Sequence, residues 1–345
     1  MAAKKSSHFA LVLPGAVARG AFEAGVIEVL AEQDLKIDRI VSTSSGALNG
    51  LAFAAGIRRG NEREMAAKLS ESWIENGGWQ NSFSLNPLNL LTGRGLSGNQ
   101  GLLKMMRDMI QPTGDAKKLN DVEFRVIVTP LNGVIDKIGD KPATTFEKIV
   151  KFTGEDFDTA ERLENVFNTV SAACAFPGLF NPVEIPDLGA CVDGAAVNNA
   201  PIRYALSESD VNRVIMPITY PALMPPGDWK RGLGLFNHLV EILINERLYR
   251  DLREAQQVNR DADRLQKMVD DGTFTESDVN KIKDLLDIRN VEITAIRPRE
   301  NLKCSPFSGF FSRENRRELI EAGRLAARET LDLVPKENPK GVQTT

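Results

Sequence analysis

Three serines stand close together between a short apolar run and a segment with the character of a helix. The run 38–41 leads into Ser42, Ser44 and Ser45, and Gly46 opens an almost wholly apolar stretch. This Ser-x-Ser-x-Gly spacing differs from the Gly-x-Ser-x-Gly nucleophile elbow only at its first position. Because an elbow needs tiny residues two positions before and after its nucleophile, we predict that Ser44 is the nucleophile. The alternative is a polar strand end followed by a serine-capped helix.

A serine nucleophile needs a general base, and the sequence contains only two histidines. His8 begins the first predicted strand, so six residues at roughly 3.3 Å each place it far from the catalytic end of that strand. His238 falls in a long amphipathic helix, where a surface or packing role is the commoner one. Asp193 ends a predicted strand and precedes Gly194 and Ala195, and we predict that it is the base. The alternative for Asp193 is an ordinary turn residue before a glycine.

A glycine-containing turn, Gly15–Gly20, follows the first predicted strand and leads into a helix. Its backbone N–H groups and the helix dipole can stabilise an anion. The turn lacks the Gly-Lys-Ser/Thr of a P-loop and the glycine spacing of a dinucleotide-binding loop, so it is a poor phosphate site. A nucleotide-binding protein that uses this turn is nevertheless one alternative function.

The elements that must position these residues alternate between strand and helix patterns. Short apolar runs bounded by glycine or proline are typical of buried parallel strands, and apolar residues at 3.6 spacing are typical of helices. Strands are predicted at 8–13, 39–41, 123–130, 190–193, 213–218 and 291–298, and helices at 20–33, 46–57, 61–75, 99–110, 166–175, 235–271, a segment ending at 284–287, and 314–331. The β-α-β-α beginning predicts an α/β fold with a mostly parallel sheet flanked by helices and right-handed crossovers.

A single domain is predicted over residues 8–334. Residues 58–120 break the periodicity with glycine pairs and an Asn-Pro step, and we interpret them as an excursion that could form a cap or lid over a site. Residues 1–7 are predicted to be a flexible N-terminus and residues 335–345 a disordered tail.

Composition argues against several classes of function. The 345 residues include 43 basic and 47 acidic side chains, interspersed, for a net charge of −4, so no nucleic-acid-binding face is predicted. The three cysteines, Cys174, Cys191 and Cys304, are far apart and lack metal-ligand spacing, which predicts free thiols in a reducing compartment and no structural zinc. No run approaches the roughly 18 apolar residues of a membrane span. The N-terminal apolar run is shorter than the roughly 7–15 residues of a signal peptide, so a strand is the preferred interpretation there.

Together these segments resemble the patatin-like phospholipase family, over about residues 9–334. Leu11–Gly25 looks like the family's glycine-rich oxyanion loop and the helix after it, and Ser42–Asn49 looks like its nucleophile elbow. Asp193–Ala195 matches its Asp-Gly-Gly/Ala motif. Segment 171–180 is similar to the family's segment just upstream of that motif, and segments 211–218 and 291–298 resemble its later strands.

The resemblance implies a patatin-like variant of the α/β-hydrolase architecture and a lipid acyl hydrolase of the phospholipase A or lysophospholipase type. Ser44 would attack an acyl ester and Asp193 would activate it, with no histidine, metal or organic cofactor. Backbone N–H groups of Gly15, Ala16, Val17 and Arg19 would hold the oxyanion. The supporting motif positions are Gly20, Ser42, Gly46, Gly194 and Ala195.

The implied partners are a phospholipid or other acyl lipid and a peripheral membrane surface, with no nucleic acid and no identifiable protein partner, and the implied location is the cytoplasm or the inner membrane surface. The sequence departs from the family at Ser42, where the elbow has its first glycine, and at Ala16 and Val17, where the loop has two glycines. The alternative function is therefore a catalytically weak relative that binds a lipid or a protein. Two outcomes are open for the loop, because a β-branched residue at positive φ is an outlier. Either φ is negative at Ala16 and Val17 and the enzyme works, which we predict, or an N–H is turned away and turnover stays low until a lipid or a partner reorders the loop.

Overall fold

The computed structural model describes residues 8–33, 35–78, 84–85, 97–114, 121–138, 140–207, 211, 213–223, 234–286, 288, 291–303 and 305–333. The predicted flexible N-terminus at 1–7 and the predicted tail at 335–345 lie outside these residues.

A mixed sheet of eight strands organises the described part of the chain. In chain order the strands are β1 His8–Leu13, β2 Lys36–Ser42, β3 Ser84–Leu85, β4 Ser97–Gly98, β5 Glu123–Pro130, β6 Val134–Ile138, β7 Lys141–Thr145, β8 Lys148–Phe152, β9 Val183–Ile185, β10 Gly189–Asp193, β11 Arg213–Pro217 and β12 Glu292–Ile296. The main sheet runs β12-β11-β1-β2-β5-β10-β9, with β8 also paired to β5, while β3 pairs with β4 and β6 with β7 in two small sheets.

Strand β5 marks the change from parallel to antiparallel pairing. Strands β12, β11, β1, β2 and β5 are parallel, whereas β8, β9 and β10 join antiparallel. Val126 pairs with both Ser42 of β2 and with β8, so β2 and β8 lie on opposite edges of β5. Val128 pairs with both β8 and Asp193 of β10. Strand β10 therefore pairs with the same edge of β5 as β2 does, beyond the residue at which β2 ends.

Helices cover both faces of this sheet. They are α1 Gly20–Glu32, α2 Ser45–Arg59, α3 Glu62–Asn76, α4 Gln100–Met109, α5 Ala160–Ala173, α6 Ile202–Leu206, α7 Gly234–Asp270, α8 Glu276–Leu285 and α9 Arg313–Thr330. No helix among the described residues is long and apolar enough to cross a membrane.

Alternate residues of the central strands enter two separate cores. Leu11 and Ile40 pack on the face that α1, α2, α3, α4, α5 and α9 cover. Val12 and Val41 pack on the other face, against α6 and α7. This period of two along buried strands, with a helical layer on each side, is the packing expected of an α/β sheet.

The α/β class and the mostly parallel sheet predicted from the sequence are confirmed, and the predicted strands and helices occur close to their expected bounds. The predicted bounds of helix α5 were wrong, because the helix begins at Ala160 and ends at Ala173, whereas 166–175 was predicted. The predicted strands at 213–218 and 291–298 are shorter and end at Pro217 and Ile296.

The antiparallel strands β6 to β9 were not predicted. Strand β7 (KPATT) has no apolar run, and β8 (KIVKF) places lysine beside isoleucine and phenylalanine, so neither has the pattern of a buried parallel strand. Their pairing depends on partners that are distant in sequence or on a short hairpin, which a local pattern does not specify.

Candidate active site

Ser44 occupies the sharp turn between β2 and α2. Its backbone has φ 51° and ψ −135°, and such a conformation costs a non-glycine residue on the order of 1–3 kcal/mol. At Gly46, a Cβ would lie 2.2 Å from the carbonyl oxygen of Leu13, so only glycine lets the turn close against the end of β1. A strained serine at a strand-to-helix corner with glycine two residues later is the geometry of a nucleophile elbow.

The two neighbouring serines make different contacts. Ser42 is fully buried and its hydroxyl donates to the carbonyl oxygen of Arg125 at 3.2 Å, which links β2 to β5. The Ser45 Oγ accepts a hydrogen bond from the Ala16 N–H at 3.0 Å. Both side chains therefore hold backbone in place.

The Ser44 hydroxyl donates to Asp193 Oδ2 at 2.6 Å. The other carboxylate oxygen, Oδ1, accepts from the Ala195 N–H at 2.8 Å, which fixes the carboxyl plane. The two residues meet because β2 ends beside Val126 and β10 enters the same edge at Val128, so the strands approach one another end to end.

Asp193 is fully buried, with 1% of its surface exposed. Burial raises the pKa of this carboxyl from 3.8 to about 7, although the hydrogen bonds from Ser44 and Ala195 lower it in part. A carboxyl with a pKa near neutrality can both accept and return a proton, which is the property required of a general acid–base group.

Neither histidine lies at this site. His8 is at the start of β1 and its Nδ1 pairs with Asp38, so it lies at the opposite end of the parallel strands from Ser44. His238 lies on α7, where its Nδ1 is 3.7 Å from Glu241. Within the described residues the Ser44 hydroxyl hydrogen-bonds to Asp193 and not to a histidine.

The turn Gly15–Gly20 lies against the elbow, and most of its N–H groups are already hydrogen-bonded. The Gly15 N–H donates to Asn199 Oδ1 at 2.9 Å, and the Asn199 side-chain amide donates back to the Gly15 carbonyl oxygen at 3.2 Å. The Ala16 N–H donates to Ser45, and the Arg19 N–H donates to the Ala16 carbonyl oxygen at 3.0 Å. Among the four predicted oxyanion donors, only the Val17 N–H has no hydrogen bond to a described residue.

The expectation of negative φ at both substituted loop positions is met at Ala16 and is wrong at Val17. Ala16 has φ −139°, an ordinary value, but Val17 has φ 54°. The conformation is imposed from both sides, because Ala16 is bonded to Ser45 and the Ala18 N–H donates to the Pro306 carbonyl oxygen at 3.0 Å. The loop therefore keeps a turn suited to glycine with a β-branched residue in it.

Arg19 connects this loop to the long helix α7. Its side chain is 2% exposed, donates to Glu241 at 3.1 Å and lies over the ring of Tyr220 at 4.7 Å from the ring centroid. The guanidinium thus contacts α7 and Tyr220 and supports the loop from that side. The sequence predicted a role only for the Arg19 backbone N–H, as a donor to the oxyanion. Sequence reasoning missed Asn199, Glu241 and Tyr220, because they come from elements far apart in the chain.

An apolar cavity of about 70 Å³ opens beside Ser44 and Asp193. Its walls come from the oxyanion turn, α2, α3, α4, the segment after α5, and the turn before α9. The lining residues are Val17, Ser44, Ser45, Leu48, Trp73, Gly77, Leu102, Met105, Cys174, Phe176, Leu179, Phe180, Asp193 and Phe310. Part of the predicted excursion at 58–120 therefore lines the site, whereas 79–83, 86–96 and 115–120 lie outside the described residues.

The cysteines and acidic residues do not form a metal site in the described part of the chain, where no cluster of three metal-binding side chains occurs. Cys174 and Cys191 are free thiols, and Cys304 lies outside the described residues. The Cys174 thiol donates to the Ser44 carbonyl oxygen at 3.0 Å, and burial raises its pKa well above 9.0. Cys174 is therefore a neutral packing residue under the elbow.

Comparison with known proteins gives one family match. Residues 11–206 match the family model of patatin-like phospholipases. Similar curated proteins include uncharacterised NTE family proteins of Mycobacterium tuberculosis and Mycobacterium bovis, each 25% identical over an alignment of 348 positions that covers 94% of this chain and 46% of the relative. The chain thus spans about half the length of the curated relatives it matches. Among solved structures, VipD from Legionella pneumophila aligns with a TM-score of 0.39 and 14% identity, covering 96% of this chain and 67% of that one.

Proposed function

This chain belongs to the patatin-like phospholipase family, and we propose that it is a lipid acyl hydrolase with Ser44 as nucleophile and Asp193 as base. The observation that carries the proposal is the 2.6 Å hydrogen bond from a serine on a strained elbow to a buried carboxylate. The apolar cavity beside this pair suits an acyl group. The substrate we propose is an acyl ester of the kind cleaved by a phospholipase A or lysophospholipase.

In the proposed reaction, the Ser44 oxygen attacks the ester carbonyl carbon and its proton moves to the Asp193 carboxylate. The tetrahedral intermediate then collapses, the bond to the alcohol oxygen breaks, and Asp193 returns the proton to the departing alcohol. A water molecule that gives its proton to Asp193 attacks the acyl-serine ester, and the carboxylic acid leaves as Ser44 recovers its proton. The proton transfers of this cycle use only Ser44, Asp193 and water.

We assign the oxyanion to the Val17 N–H, which lies in the cavity-lining turn beside Ser44. The Ala16 N–H can join it when the Ser45 hydroxyl releases that donor. The N–H groups of Gly15 and Arg19, which the sequence also suggested, support the turn through their own hydrogen bonds. One lost oxyanion donor costs on the order of 10²–10³ in rate, so this loop has a large influence on turnover.

The state of the loop favours one competing function, a catalytically weak relative that binds an acyl lipid without efficient hydrolysis. Three of the four expected N–H donors are engaged in other hydrogen bonds, and the fourth belongs to Val17, whose φ is unfavourable for a β-branched residue. A binding protein of this kind would hold a lipid in the cavity and release it unchanged.

Labelling with a fluorophosphonate and hydrolysis of p-nitrophenyl butyrate separate the two functions. We expect the wild-type protein to be labelled on Ser44 and to turn over the ester, and Ser44→Ala to lose both. Asp193→Asn should keep its fold and lose about 10²–10⁴-fold in rate, the usual cost of removing a general base. The matched control is Ser70→Ala, since Ser70 is a buried serine on α3 outside the site.

Two results would contradict the assignment. Label on Ser45 would exclude Ser44 as the nucleophile, and a loss of activity in His238→Ala that matches the loss in Asp193→Asn would exclude the dyad. Lipid binding with no labelling and no turnover would favour the binding protein.

We also propose that the partner surface is a lipid surface, approached at the N-terminal part of α7. Leu235, Leu239, Ile242 and Leu243 are each about half exposed or more. At 3.6 residues per turn these four side chains fall within an arc of about 100°. The same part of the helix contacts the oxyanion turn through Glu241 and Arg19. An exposed apolar stripe on a helix that contacts the oxyanion turn fits a substrate that resides in a lipid layer.

A further inference from the structure

The volume of the cavity beside Ser44 indicates how large an acyl group it can hold. Its volume is about 70 Å³, whereas a dry apolar cavity of about 150 Å³ holds the six carbons of benzene. In proportion, the space beyond the ester carbonyl takes about three carbon atoms. A residue of the cavity wall must set this limit on the length of the acyl group.

The Trp73 indole forms part of the cavity wall, next to Gly20 of the oxyanion turn and Ser45 of the elbow. A Cβ on Gly20 would lie 2.9 Å from Trp73 Cζ2 and 2.8 Å from the Cβ of Ser45. On the other side, a Cβ on Gly77 would lie 3.0 Å from Trp73 Cε3. The ring is therefore enclosed between two glycines, and each leaves just enough space for it.

Hydrogen bonds hold the ring in this position. The Trp73 indole N–H donates to Asn49 Oδ1 at 2.8 Å. The Asn49 amide in turn donates to the Gly20 carbonyl oxygen at 2.9 Å and to Glu23 Oε2 at 2.8 Å. Glu23 is fully buried, and burial raises the pKa of its carboxyl well above its ordinary value.

This network joins the three helices around the site. Glu23 belongs to α1, Asn49 to α2 and Trp73 to α3. A rotation of the indole out of the wall would leave a buried N–H and a buried amide oxygen without partners, at a cost of about 1–3 kcal/mol for each group. The wall is therefore rigid compared with the flexible methionine and leucine side chains that complete the cavity.

We propose that Trp73 is a specificity-determining residue that limits the reacting acyl group to about four carbons. The proposal rests on the hydrolase function assigned above. The substrate class it names is a lipid ester whose reacting acyl group is short, with Asn49 and Glu23 as positioning residues for the indole.

The test compares butyryl and octanoyl p-nitrophenyl esters, together with labelling rates for butyl and octyl fluorophosphonates. We expect the wild-type kcat/KM to fall at least about tenfold from butyryl to octanoyl, since an apolar pocket discriminates by roughly 10–200-fold per misfit methylene. Trp73→Ala should raise the octanoyl-to-butyryl ratio at least about tenfold by removing the wall. Trp73→Leu is the second variant, because it opens the wall while leaving an apolar side chain should the alanine variant not fold.

Trp73→Phe and Met106→Ala are the matched controls. Phenylalanine keeps most of the ring and loses the N–H, so it should keep most of the chain-length preference. Met106 is fully buried on α4 next to the lining residue Met105 but lies outside the cavity wall, so Met106→Ala should leave the ratio unchanged.

The inference and the proposed function fail in different ways. No hydrolysis of either ester and no labelling of Ser44 would overturn the hydrolase function. Hydrolysis with equal rates for both wild-type esters, or an unchanged ratio in folded Trp73→Leu, would overturn the role of Trp73 alone.

Discussion

Ser44 and Asp193 are positioned by different kinds of force. Ser44 is held by backbone strain, at φ 51° on a corner that Gly46 closes. Asp193 is held by hydrogen bonds to both of its carboxylate oxygens, from Ser44 and from the Ala195 N–H. The strain presents the hydroxyl, and the two bonds keep the carboxyl plane facing it, so neither side chain has to reorganise before the proposed proton transfer.

Ionisation of Asp193 gives the first prediction. Its pKa is raised by burial to about 7, and only the ionised carboxylate can take the Ser44 proton. We expect kcat/KM for p-nitrophenyl butyrate to be constant at alkaline pH and to fall about tenfold per pH unit below the pKa of the free enzyme. The rate should be followed at a wavelength where protonation of the nitrophenol does not alter absorbance.

The matched measurement uses Asp193→Asn, whose residual rate should lack this pH dependence. A wild-type profile that is flat between about pH 5 and pH 8 would mean that Asp193 is not the titrating base.

At the scale of elements, the sequence predicted the Ser44 elbow, the Asp193 turn and the strands that carry them. These elements are local, because each combines an apolar run with a glycine-containing turn in one short segment. The α/β sheet follows from the same local signals, and the structure confirms it. The catalytic roles of the two residues stay a prediction.

The rest of the site was not predictable from local pattern. The site also receives side chains from separate elements, namely Asn199, Trp73, Phe310 and Glu241. In a sequence, a lone residue of any of these types is equally well explained by an ordinary position on the surface or in the core. The antiparallel entry of β10 was also missed, because strand direction depends on the partner strand and not on the sequence of the strand itself.

The oxyanion turn gives a second prediction, at its two substituted positions. Val17 has φ 54°, so Val17→Gly removes a strain of about 1–3 kcal/mol and introduces the smaller entropic cost of glycine, about 0.5–1 kcal/mol. We expect the free energy of unfolding to rise by about 1 kcal/mol, measured by denaturation in urea.

Ala16→Gly is the matched control with the opposite sign. Ala16 has φ −139°, which any residue adopts, so glycine there should lower the free energy of unfolding by about 0.5–1 kcal/mol. If both glycine variants are destabilised, the positive φ at Val17 is not a source of strain.

The turnover of the same variants tests whether the resting turn is productive. We expect Val17→Gly to change ester turnover less than about tenfold, because the donor is a backbone N–H that the substitution retains. A gain of about a hundredfold or more, the magnitude of one oxyanion donor, would show that the native turn holds its N–H in a non-productive direction.

At the scale of the whole molecule, the site lies where the sheet changes from parallel to antiparallel, with α7 connected to it from outside. The pair of buried Arg19 and partly buried Glu241 links the oxyanion turn to α7, and Tyr220, which follows β11, packs on the arginine. Because the arginine is buried, this ion pair couples the two elements more firmly than an exposed pair would. A change in the position of α7 would therefore reach the turn through one side chain.

The exposed stripe on α7 gives the last prediction. Introducing charge with Leu239→Asp and Leu243→Asp should weaken flotation with phosphatidylcholine and phosphatidylglycerol vesicles, because a charged group cannot enter the acyl boundary of a lipid layer. Both side chains are exposed, so the fold should be retained. Hydrolysis of a soluble butyrate ester should also stay close to the wild-type rate, since neither side chain lines the cavity.

The matched control is Leu285→Asp on α8, which introduces the same charge at a residue that is 84% exposed and lies outside the stripe. Because a general loss of membrane affinity from added negative charge would affect all variants alike, only a selective effect of the α7 changes supports docking through the stripe. Equal flotation of the wild-type protein and of the two single α7 variants would remove α7 as the docking face. A matching loss in Leu285→Asp would assign the effect to net charge, and the stripe would then have no part in bringing the acyl cavity to the lipid.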